Sequence, residues 1–144
     1  MYQSIEEKRD NGSLTREKML EIYRDNLSKN IALFKEERWA VRLQQLSEQR
    51  SKDIPPFTIK EREQLADVLE HCFINVITNL RDEATRQKSR LSAEDIHLCL
   101  LLSLGYSIGV IRECLAASSD DVVRKRRVRL VGKLPEDILL LLFG

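Results

Sequence analysis

Apolar residues along this chain recur at three- and four-residue steps, and no stretch alternates with period two. Leu20, Tyr23, Leu27, Ile31 and Phe34 form one such stripe, as an amphipathic helix requires. Trp39, Leu43 and Leu46 keep helical spacing but move to a shifted face. No glycine or proline interrupts residues 13–49. The pattern therefore predicts one long helix, capped by Ser13 and ending near Gln49, with residues 1–12 polar and frayed. Such a helix is about 50 Å long, more than a small domain covers. Its stripe predicts a dimerisation segment over residues 1–54 that forms a coiled-coil homodimer. Leu20, Tyr23, Leu27, Ile31, Phe34 and Trp39 would face the partner, Trp39 as the aromatic anchor. The competing arrangement folds the helix back on residues 59–86, which a turn at Pro55 and Pro56 permits.

Pro55 and Pro56 cannot continue a helix. Thr58 and Glu61 have capping-box spacing and mark the next start. Leu65, Leu69, Cys72, Phe73, Val76 and Leu80 then form a stripe reaching about Arg86. Ser92 and Asp95 repeat the start signal before a leucine-rich helix over about 93–104, apolar over most of its circumference and therefore central. Gly105 stops it. Ser107 opens a short helix through Ile111 and Leu115, the stretch Ala116 to Ser119 makes a turn, and a basic helix follows from Asp120 to about Gly132. Pro135 suits the first position of a last helix over 136–143. The chain reads as all-α.

Charge changes the picture at one place. The chain has 24 Lys and Arg against 23 Asp and Glu, a net charge of +1. The basic helix alone holds Arg124, Lys125, Arg126, Arg127, Arg129 and Lys133 against Asp120 and Asp121. Six positive less two negative charges leave about +4 there, and so about −3 for the rest. One strongly basic helix on a near-neutral protein is the electrostatic footprint of DNA binding.

Other chemistry is sparse. Three cysteines, Cys72, Cys99 and Cys114, are odd in number and sit among apolar residues, which suits a reduced cytoplasmic interior. His71, Cys72, His97 and Cys99 are neighbours at one- and two-residue steps, which point apart on a helix; neither metal nor cofactor is expected. No apolar run reaches the roughly 18–20 residues of a membrane span, and MYQSIEEKRDNGS is not a secretory signal. There is no Gly-rich phosphate loop and no nucleophile paired with a base. Glu94 and Asp95 read as helix-start acids, so an enzyme is not expected.

The stretch LSAEDIHLCLLLSLGYSIGVIRECLAASSDDVVRKRRVRLVGKL resembles the LuxR-type helix-turn-helix effector domain of bacterial transcription regulators. Leu91, Ser92 and Glu94 or Asp95 match its leader helix, and Gly105 and Ser107 the junction. Ile111 and Leu115 match the scaffold helix, Ser118 or Ser119 the turn, and Lys133 and Leu134 the ending. FTIKEREQLADVLEHCFINVITNL, from Phe57, is similar to the helix preceding this domain in one branch. The resemblance covers about residues 57–134. It implies a DNA-binding domain over 55–144, with a leader helix at about 59–86, the helix-turn-helix at about 92–134 and a last helix at 136–143. Three departures stand out. Val110, Ile111 and Arg112 replace Glu-Ile-Ala, the turn is one residue longer, and Asp120 and Asp121 open the recognition helix.

With Val123 inward, Leu130 and Leu134 fall on the same face. Arg124, Lys125, Val128 and Arg129 fall opposite, with Asp121 near the start. Such a face is expected to read base edges in the major groove of double-stranded DNA, with Asp121 accepting from cytosine. Arg126, Arg127 and Lys133 on the flanks, and Ser118 and Ser119 at the helix start, are expected to hold phosphates. A sensor would lie in a partner protein or a separate domain. The alternative is an interaction or dimerisation module whose helix-turn-helix does not bind DNA. Its basic helix would be a solvated surface laced by Asp120–Arg124 and Asp121–Lys125 pairs.

Overall fold

The computed structural model describes residues 15–144 and is all-helical, with no strand among them. The described helices are α1 (Arg16–Lys35), α2 (Arg38–Ser47), α3 (Ile59–Cys72), α4 (Ile74–Arg86), α5 (Ala93–Ser103), α6 (Ile108–Cys114), α7 (Asp120–Leu130) and α8 (Glu136–Phe143). A 3₁₀ turn at Ser51–Asp53 joins α2 to α3. None of these helices is long and apolar enough to cross a membrane.

The long first helix is two helices. Ser13 lies outside the described residues, and Thr15 caps α1 by accepting from the Lys18 amide at 3.2 Å. The chain leaves helical geometry at Glu37, whose backbone is extended at ψ 148°. No local breaker forces this; packing overrides propensity. Restarting at Arg38 buries Ala40, Leu43 and Leu46, the shifted face of the sequence pattern.

The expected dimerisation stripe is likewise occupied within the chain. Tyr23, Leu27 and Phe34 are buried, and Leu20, Ile31 and Trp39 pack half-buried on the same core. Phe34 and Phe73 rings lie 5.9 Å apart, as do Trp39 and Phe57. The Arg42 guanidinium covers both Trp39 and Phe57, at 4.9 and 5.0 Å from their centroids. The helix thus folds back on α3, α4 and α8, and residues on both sides of position 54 share one buried cluster. The stripe that motivated a coiled coil is core, because the break at Glu37 shortens the helix to what the rest of the chain can cover.

A second break divides the expected helix at 59–86. Phe73, fully buried, sits at φ −108°, ψ 25° between α3 and α4. Asn30 of α1, itself buried, accepts from the Val76 amide at 3.2 Å and so satisfies one of the orphan donors of the restarted helix.

α5 is the central element. Leu98, Cys99, Leu100 and Leu101 are fully buried, and each large apolar side chain so removed from water contributes about 1.5–3 kcal/mol. Burial pushes the Cys99 thiol up to about 12, with Asp95 adding to the effect, so it packs as a small hydrophobe. Ser92 and Asp95 form a reciprocal capping box at its start.

One carboxylate is buried with this core. Glu83 accepts from the Tyr23 hydroxyl at 3.0 Å and from Arg16 at 2.6 Å, and Arg16 Nε also donates to Asp137 at 2.7 Å. The cluster fastens the start of α1 to α4 and α8. Pro135 is the N-cap of α8 rather than its first helical residue; its extended backbone precedes the turn.

Candidate nucleic-acid interface

α6 and α7 meet at a tight turn beside α5. Ser107 caps α6, accepting from Val110 N at 3.3 Å, and Ser119 caps α7, accepting from Val122 N at 3.3 Å. Between them Ala116 adopts φ 54°, while Ala117 N donates to Arg112 O and Ala116 N to Glu113 O. This pair of bonds is the Schellman ending, which usually takes glycine.

Val123 and Leu130 bury the inner face of α7, and Leu134 extends that anchor after the helix ends. At about 100° per residue, Asp121, Lys125, Val128 and Gly132 lie along the opposite line. All four are exposed, as are Arg124, Arg127 and Arg129 beside them. The expected division into inner and outer faces therefore holds in the packing.

The cations are not equally available. Arg124 pairs with Asp121 at 2.9 Å. Lys133 Nζ donates to Asp95 at 2.7 Å, and Arg126 Nη1 lies 3.2 Å from Glu94 without hydrogen-bond alignment. They thus tie α7 and the turn after it to the start of α5 rather than standing open on the flanks as expected. Lys133 holds the Asp95 carboxyl below its ordinary value; burial opposes that shift, and the ammonium and the Ser92 amide outweigh it. Lys125, Arg127 and Arg129 have no carboxylate partner among the described residues, although the Arg127 guanidinium lies 5.8 Å from the Phe143 ring centroid. Ser118 is exposed at the turn, whereas the Ser119 hydroxyl is engaged by its cap.

Asp120 does not pair with Arg124, nor Asp121 with Lys125, as i,i+4 spacing suggested. Asp120 turns inward. Its carboxylate accepts from Ser51 Oγ at 2.7 Å and from Arg112 Nη1 at 2.8 Å. Those bonds, the serine's first, hold its carboxyl below the ordinary value. Arg112 also donates to Ser51 O at 3.0 Å and to Glu113 Oε2 at 3.0 Å. The long Arg112 cation is thus matched by an acid at the start of α7 and by the 3₁₀ turn.

Glu113 extends the same connection, accepting from the Phe57 amide at 3.3 Å, while Arg62 donates to the Glu113 carbonyl at 2.8 Å. Ser51, Arg62 and Glu113 carried no sequence signal, because Arg62 meets Glu113 across 51 residues of chain and Ser51 meets Arg112 across 61. Arg112 and Asp120 did, as departures from the pattern that the sequence resembles.

No protein family, curated protein or solved structure matches this chain.

Proposed function

We propose that this chain binds double-stranded DNA as a transcription regulator, or as the output module of one, with α7 in the major groove. The observation carrying this reading is the outer face of α7. Lys125 and Arg129 stand exposed without carboxylate partners among the described residues, flanking Val128, on a helix whose inner face is anchored by Val123 and Leu130. Unpaired cations are available to guanine edges and phosphates, and a rigidly anchored helix positions them. A solvated, salt-bridged surface would place its acids against these cations; Asp120 is instead committed to Arg112. Arg124 reaches a base edge by exchanging Asp121, and Arg127 holds a phosphate. Lys133 and Arg126 orient α7 rather than touch DNA.

A cytoplasmic location goes with this reading, as do the three free cysteines. The signal is received by a partner protein or a separate domain. Helix-turn-helix proteins usually act in pairs on half-sites about one turn apart, and pairing here uses a surface other than the α1 stripe.

Duplex binding followed against salt tests the proposal. Neutralising even two phosphates per chain weakens affinity at least about tenfold between 50 and 200 mM salt. No duplex binding at low salt, with a protein recovered as partner, would favour the interaction module.

A further inference from the structure

Val128 is 70% exposed, in a helix where every other exposed side chain is charged. Valine is a weak helix former because its branched side chain is stiff at χ1. At an exposed position it gains no burial within the fold to offset that cost. Its place on α7 is central: Val128 lies between Lys125 and Gly132 on the outward line, with Arg124 and Arg129 to either side. A short side chain there, followed by a position with none, lets the helix backbone approach the groove floor. The longer arginines meanwhile reach sideways.

Resting on the DNA-binding reading, we infer that Val128 reads a thymine by packing its methyl groups against the C5-methyl in the major groove. Among the four bases only thymine offers an apolar group there. The stiff, branched valine presents a fixed apolar surface to it at little entropic cost. The selected half-site thus contains a thymine beside the guanine contacted by Lys125 or Arg129, and Val128, not a cation, specifies that position.

The test uses the full chain and a duplex selected by competition from a randomised library. Each thymine in turn is replaced by deoxyuridine, which retains O4 and base pairing but lacks the methyl. One replacement should weaken binding about three- to fivefold, the loss expected for one buried methyl. Val128→Ala, at an exposed site where alanine favours the helix, should abolish most of that sensitivity while retaining the guanine preference. Duplex binding indifferent to every replacement, or a sensitivity unchanged in Val128→Ala, would overturn the inference and leave DNA binding standing. Failure to bind any duplex at 50 mM salt would overturn both.

Discussion

Arg112 Nη1 donates to Asp120 Oδ1 at 2.8 Å, joining the helix before the turn to the first residue of the helix after it. The two are eight positions apart and share no helix face, yet each explains the other. The same nitrogen donates to Ser51 Oγ at 2.7 Å, so the 3₁₀ turn is fastened to α6 and α7 at one point. Arg112→Ala leaves the partly buried Asp120 without its cation and should destabilise the fold by about 2 kcal/mol. Arg112→Lys should recover only part, because it lacks the planar fork. Urea unfolding of both variants checks this; equal stability of parent and Arg112→Ala would show the contact to be idle.

Acid should loosen the molecule through its paired aspartates. Asp120, Asp95 and Asp137 all lie below their ordinary value, Asp137 chiefly through Arg16. Unfolding therefore takes up protons in acid, and stability rises with pH across that window. Their contribution is complete above about pH 5 and is lost as pH falls through the lowered values. Thermal melts from pH 7 to pH 2 should show this decline, and Asp137→Asn should flatten it. An unchanged acid slope in that variant would contradict the assignment.

Gly109 sets propensity against packing. Alanine gains about 1 kcal/mol in a helix. A Cβ here, however, would lie 2.6 Å from Ser51 Oγ and 2.9 Å from Ser51 Cα. Backbone cannot yield as a side-chain tip does, and overpacking costs about 1–3 kcal/mol. Gly109→Ala should therefore destabilise on balance, by roughly 1 kcal/mol, and move Ser51 away from Asp120. A stabilised variant in calorimetry would mean that the 3₁₀ turn adjusts freely.

Lys133 separates holding from reading. Its ammonium meets Asp95, whose side chain is only 12% exposed. Lys133→Ala should lower stability by about 1 kcal/mol while leaving the relative preference among duplex sequences as in the parent. Altered preference would return Lys133 to the DNA face.

The fold was legible where sequence signals act locally. The capping boxes at Thr58 and Ser92 and the stop at Gly105 lie at the expected positions. The inward set Val123, Leu130 and Leu134 followed from helical period alone. The breaks at Glu37 and Phe73 were not legible as breaks, because packing rather than glycine or proline makes them. The shift of apolar face at Trp39 was the trace of the first. Helix ends at Lys88 and Ala116 use the left-handed backbone without glycine, so composition does not announce them. In the site, spacing identified which cations face outward but not which are already paired. Glu94 and Asp95 reach Arg126 and Lys133 from a different helix, and no periodicity within α7 records that.

The central claim is that the outer face of α7 reads DNA, and the double variant Lys125→Ala/Arg129→Ala tests it most directly. Neither side chain has a carboxylate partner among the described residues, so unfolding should be nearly unchanged. Fluorescence anisotropy with the library-selected duplex, competed by random duplex, should show specific affinity reduced at least about tenfold, since each base contact supplies about 1–3 kcal/mol. Affinity and sequence preference equal to the parent's, in a variant that remains folded, would contradict the account.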